Sequence, residues 1–430
     1  MKTLAILLGI CMIIFACKDD EPRVEVFTVE IIDGYLPQPA DNWIIVSNSS
    51  GELLDYQLLQ PGIFTLQAVE LPSDNLLNIS LLNRGTSNPN INFFSMTTYT
   101  GIPAGETWVL APLPEIDSDP NPGEANVQIT NLPPIETLNV TFSKLWEGRF
   151  NTQGTVIDNG TTSEGSFVLP LSEAQTDILI SVNPQYLDES IPPDFESKYY
   201  WLSDLTDGQQ INLEFPTDFF SYDQQFEIEV PDANTQVLLD VYGFEDLDAT
   251  YGTGFVFTSS LAIYPINKIG AFFNDGFNHY ETVMTVNNNN GSYTYKKVGD
   301  PPAPEDLNAR SLDFQIQNSS FNSFAFSASP EFQIVESGWV NQVDNNGVLN
   351  TLSWTVFSER SMVNYPVLVN FPEELVQDNP ALDTDNLDNT FNRFIYNIDN
   401  RTYEDFVDKS IVEPRVHKQL EEVYQLSKFD

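Results

Sequence analysis

Few residues in this chain combine a reactive type with a telling spacing. It holds two histidines, His279 and His417, two cysteines, Cys11 and Cys17, and 62 acidic side chains. A Ser-His-Asp triad would draw on one of the histidines, but no Gly-x-Ser-x-Gly turn is present to seat a nucleophile. His279 lies in Asn274-Asp275-Gly276-Phe277-Asn278-His279-Tyr280, which reads as a turn between strands and so as a plain surface histidine. No His-Glu-x-x-His or Gly-x-x-x-x-Gly-Lys occurs, and Gly252-x-Gly254 lacks both the third glycine and a following helix. Carboxylates roughly 5–9.5 Å apart do glycosidase work, yet with 62 acids such pairs are inevitable and single out nothing. The chain reads as a non-enzyme, with no catalytic residue and no cofactor.

Two stretches offer oxygens in the alternation a hard cation uses. Asp117, Asp119 and Asn121 are the calcium candidates, and Asp383, Asp385 and Asp388 repeat the pattern. Neither completes an EF-hand loop, because Pro122 and Asp388 stand where glycine is required, and both read better as acidic solvated linkers. For ligand contact the aromatic run Tyr199-Tyr200-Trp201 is the densest. Strand alternation puts Tyr199 and Trp201 on one face and Tyr200 on the other, making Tyr199 and Trp201 the candidate ligand-stacking pair. The isolated Trp43, Trp108, Trp146, Trp339 and Trp354 read as core.

The thiols lead to the N-terminus. Lys2 precedes an uncharged apolar run over residues 4–16, within the roughly 7–15 residues of a signal-peptide core and short of the roughly 20 that span a bilayer. Lys18-Asp19-Asp20-Glu21 then ends it. Ile14-Phe15-Ala16-Cys17 resembles the bacterial lipobox, with Phe15 where a smaller residue is usual. That resemblance implies cleavage between Ala16 and Cys17 and acylation of Cys17 with palmitate-type chains. Lys18, Asp19, Asp20 and Glu21 are similar to the acidic export tag of Bacteroidota-type surface lipoproteins, which implies display on the outer face of the outer membrane. Two or more acyl chains anchor stably where one holds only marginally. With Cys11 lost and Cys17 lipidated, no thiol is left for a disulfide, a zinc site or a nucleophile.

Composition sets the class of the remainder. A formal charge of −44 repels nucleic acid and an anionic membrane surface, so the expected membrane contact is the lipid at Cys17 alone. An apolar share of 41% with 12% aromatic residues is too much for a solvated tail. Twenty-eight prolines, 22 glycines and many Asn and Asp punctuate short runs of Val, Ile, Phe and Tyr, a pattern that predicts an all-β chain.

A module of strand, turn and strand recurs, with second strands starting at 43, 138, 237 and 324, spacings of 95, 99 and 87. The first two copies also correspond further on: 64–66 with 167–169, 77–81 with 178–182, and Gly105 to Leu110 with Gly208 to Leu213. A period near 90–100 residues is the size of one β-sandwich. The expected fold is all-β, three to four tandem Ig-like or transthyretin-like β-sandwich domains with a C-terminal α-helix. The expected division is signal peptide 1–16, lipidated tether 17–23, sandwich 24–113, linker 114–124, sandwich 125–217, sandwich 225–305, and sandwich with helix 311–430. The opening module, with Trp43 to Ser47, Ser50 to Asp55 and Gly62 to Leu66, resembles the carboxypeptidase regulatory-like or transthyretin-like sandwich. Val416, Leu420, Val423 and Tyr424 after Pro414 form a stripe at helical spacing, which places the helix there.

Two functions of different class fit these features. One is a surface-displayed binding or adhesion lipoprotein for a glycan or protein ligand, similar in architecture to the glycan-binding lipoproteins of starch-utilisation systems. The other is a structural or accessory subunit of an outer-membrane complex.

Overall fold

The computed structural model describes residues 22–35, 41–88, 91–112, 123–144, 148–149, 153–171, 177–185, 194–229, 235–244, 254–263, 268–288, 291–303, 307, 314–328, 332–345, 347–360, 365–397, 402–411 and 420–429. The fold is all-β, built from several sheets packed as sandwiches, with short helices toward the C-terminal end. Alternation along the strands decides which side chains enter each core. In Asn42–Asn48, Ile44 and Val46 enter the first core with Leu66, Ile79 and Trp108, while Ile45 enters a second core on the opposite face.

The first two copies share one strand order. In the first, Val24–Ile31 pairs antiparallel with Gly62–Ala68 and parallel with Thr107–Leu110. In the second, Glu124–Leu132 pairs antiparallel with Ser163–Pro170 and parallel with Gln210–Glu214. Even the entry to the parallel strand is equivalent. Gly105 N–H donates to the Val26 carbonyl at 2.8 Å, and Gly208 N–H to that of Glu124 at 2.8 Å. Both glycines have positive φ, 93° and 74°, a turn conformation that side-chain-bearing residues resist. The second copy's other sheet runs Gly148–Arg149, Leu138–Lys144, Ile178–Pro184, Lys198–Leu202, Phe220–Ser221.

The first sandwich's other sheet continues far beyond it. One twelve-stranded sheet runs Phe255–Ile263, Gln236–Phe244, His279–Asn288, Gly291–Gly299, Glu421–Phe429, Asp388–Asn397, Ile334–Asn345, Val348–Glu359, Ile91–Pro103, Leu76–Asn88, Asn42–Asn48, Leu53–Leu58. The joint is parallel pairing of Val348–Glu359 with Ile91–Pro103 over nine residue pairs, Leu349↔Ile91 to Phe357↔Tyr99. Strands from the third and fourth copies therefore lie in the same sheet as the first. Glu421–Phe429 pairs with Gly291–Gly299 on one side and Asp388–Asn397 on the other.

The C-terminal helix is present at Tyr403–Ile411, upstream of the stripe that suggested it. Its Tyr403 hydroxyl donates to the Phe357 carbonyl at 2.9 Å and accepts from Thr100 N–H at 3.2 Å, fixing it over the joint. Pro414 and Val416 lie outside the described residues, and Val423 and Tyr424 belong to a strand. The helical spacing misled because Val, Tyr and Phe favour pleated surface, and two unfilled strand edges satisfy this segment's backbone as well as a helix would.

A protease site placed between Pro112 and Gly123 tests the joint. After cleavage, residues 22–112 are expected to co-elute with the rest of the chain and to separate only in denaturant. Separation under native conditions would contradict the shared sheet.

Candidate functional site

Ala16, Cys17, Lys18, Asp19, Asp20, Glu21, Asp117, Asp119, Asn121, Trp146 and His417 lie outside the described residues. Tyr199 and Trp201 lie on one face of Lys198–Leu202, both half-buried. Tyr199 packs with tilted rings 5.1 Å from Tyr222 and 5.8 Å from Phe220, and burial pushes its phenol pKa up. Trp201 lies 4.5 Å from Phe255 and 6.2 Å from Phe277. Both rings thus sit where the second sandwich meets the end of the large sheet. Trp108, Trp339 and Trp354 are core, as expected, and Trp43 is half-buried, 6.1 Å from Tyr56.

Among the described residues no three His, Cys, Asp or Glu side chains converge as metal ligands. Asp383 accepts instead from Asp385 N–H at 2.9 Å and from Asn386 Nδ2 at 2.6 Å, capping a turn of 3₁₀ helix. Asp385 accepts from Asn322 Nδ2 at 2.7 Å. These bonds make the segment a folded wall where an acidic linker was expected.

That wall bounds a cleft of about 490 Å³. Phe371 and Leu382 are its buried apolar lining, and Val369 and Val376 contribute exposed apolar surface, 41% and 38% exposed. Asn322, Asn370, Asp383 and Asp385 add polar groups. Its frame is anchored to the large sheet. The Val367 carbonyl accepts from Ser47 Oγ at 2.7 Å and Asn78 Nδ2 at 3.0 Å, and Val369 N–H donates to Gly51 at 2.7 Å. Gly51 has φ of 81°, and a Cβ there would lie 2.4 Å from the Pro366 carbonyl, so only glycine allows this approach. Thr384 Oγ1 ties the two ends, donating to the Val369 carbonyl at 3.0 Å. An apolar lining with convergent polar groups on a rigid frame is the general form of a ligand site. Sequence reading missed it because valine, proline and asparagine announce no chemistry. The signal was the Asp383–Asp385 alternation.

The other face of the large sheet carries the first core and, further along, largely buried carboxylates paired with partly exposed cations. Lys296, opposite Val423, reaches Glu421 at 2.6 Å and Glu281 at 3.3 Å. Arg393 reaches Glu336 at 2.7 Å. Burial raises the Glu336 pKa, an effect that Arg393 opposes. Burial pulls the Lys296 pKa down, but the charges of Glu421 and Glu281 outweigh it, and the value stands above the usual 10.5. No family model and no curated protein matches this chain.

A raised lysine pKa stabilises the fold fully below the unfolded value and is lost as pH climbs through the folded one. Lys296→Met is therefore expected to cost about 1 kcal/mol at neutral pH, discounted for the lysine's partial exposure. The difference from wild type should shrink above pH 10.5 in denaturant titrations. A pH-independent difference would show that packing rather than charge is lost.

Proposed function

We propose that this chain is a lipid-anchored binding or adhesion protein of the outer-membrane surface. It is held by acylated Cys17 and presents its β-sandwich body to a glycan or protein ligand. The observation that carries this reading is the run Ile14-Phe15-Ala16-Cys17 followed by Lys18-Asp19-Asp20-Glu21. The thirteen residues before it carry one cation and an uncharged apolar stretch, as export requires. In this reading the cleft around Val369, Val376 and Asp385 is the ligand contact, since it joins exposed apolar surface to hydrogen-bonding groups on a fixed frame. The accessory-subunit reading draws support from the edge strand Gln153–Asp158, exposed along nearly its whole length with Ile157 at 62%, which is a form that accepts an added strand.

Cys17→Ala is expected to move the protein from the membrane to the soluble fraction, and unchanged membrane association would contradict the anchor. Residues 22–430 on a glycan array test the ligand class. A binding glycan should lose at least tenfold in affinity on Asp385→Ala and on Val376→Trp, which fills the cleft. A glycan that binds both variants as well as wild type would place the contact elsewhere.

A further inference from the structure

The Phe255–Ile263 strand, Phe-Val-Phe-Thr-Ser-Ser-Leu-Ala-Ile, has no charged residue in a chain of net charge −44. It pairs with Gln236–Phe244 on one side and is the terminal strand of the twelve-stranded sheet. Natural edge strands are usually guarded by charge, proline or brevity, and an uncharged apolar edge is a template for pairing with another chain. This edge has none of those guards. Its backbone is engaged instead by side chains of the second sandwich. Val256 N–H donates to Ser143 Oγ at 2.9 Å, and the Val256 carbonyl accepts from Ser181 Oγ at 2.7 Å. The Phe257 carbonyl accepts from Asn183 Nδ2 at 3.1 Å and the Tyr222 hydroxyl at 2.9 Å, and the Ser259 carbonyl from Asn139 Nδ2 at 2.7 Å. Ser143, Ser181 and Asn183 are fully buried, so these groups have no water to turn to. Trp201, 4.5 Å from Phe255, flanks the row on the same sheet.

We propose that this face of the second sandwich is a receptor for a bare β-edge, and that its occupancy by Phe255–Ile263 keeps that edge from pairing with the same edge of a second copy of the chain. An edge strand is self-complementary when turned antiparallel about a two-fold axis, so the partner that an uncapped edge best fits is its own copy. On a membrane, where anchored chains are concentrated in two dimensions, such a cap separates a dispersed protein from an assembling one.

Two measurements on residues 22–430 test this. Ser143→Ala removes one acceptor, and hydrogen exchange at the Val256 amide should rise roughly tenfold, the factor one ordinary hydrogen bond carries. Amides of the strand Ile334–Asn345, mid-sheet, should be unchanged. The triple variant Asn139→Ala, Ser181→Ala, Asn183→Ala should form dimers by light scattering. Adding Leu261→Lys, a charge on the edge strand, should return it to monomer. Unchanged exchange at Val256 in Ser143→Ala would overturn the capping claim. A triple variant that stays monomeric, or one whose association survives Leu261→Lys, would overturn the claim that the capped edge is the associating surface.

Discussion

The parallel pairing of Ile91–Pro103 with Val348–Glu359 is the contact on which the rest of the architecture depends. It joins residues more than 250 positions apart, and such closure costs chain entropy that grows slowly with length. What offsets it is a core the two strands fill together, with Phe94, Met96, Leu352 and Trp354 all buried on one face. Register is fixed by side chains as well as backbone. Asn92 Nδ2 donates to Asn350 Oδ1 at 2.9 Å within a directly opposed pair, and Trp354 Nε1 donates to Thr98 Oγ1 at 2.8 Å. A slip of one residue would break both bonds and turn the tryptophan to the opposite face. Until the later strand arrives, the Ile91–Pro103 edge is open, so completion of the first sandwich's sheet waits on the last third of the chain.

A second device recurs across the body. Serine and asparagine on the outward faces of the sheets hold the backbone of whatever covers them. Ser47 and Asn78 hold the Val367 carbonyl, Asn341 holds that of Ala381 at 2.9 Å, and Asn139, Ser181 and Asn183 hold the Phe255–Ile263 strand. Each bond adds modestly to stability, but removing one partner strands a buried polar group, which is the costlier change. This is how sheets with both faces covered keep polar alternation. It also orients the covering segments, since a carbonyl gripped from the side cannot slide.

That device explains what was legible in the sequence. The strands of the first two copies and the correspondence of Gly105 to Leu110 with Gly208 to Leu213 follow from local residues, so pattern reading reached them, whereas the parallel pairing of the strands that follow these glycines is set by a distant partner. The alternation Asn139, Thr141, Ser143 reads as a solvent face by the same rules, yet Thr141 and Ser143 are buried because another strand lies over them. Which strand covers a face is a long-range fact that no local window holds. The same limit explains Val423 and Tyr424, whose strand exists only because edges from two other segments flank it. It explains the cleft too, assembled from Asn322 and residues 366–385 by contacts such as Asn322 with Asp385.

The functional reading joins an anchor at one end to a body whose cleft and edges are fixed by these long-range contacts. Its central claim is covalent and lies at Cys17. The most direct test is mass spectrometry of the N-terminal peptide of protein extracted from membranes of the native host. The account predicts a chain beginning at Cys17, heavier than its sequence by its acyl groups. A peptide that retains residues 1–16, or an unmodified Cys17, would contradict it.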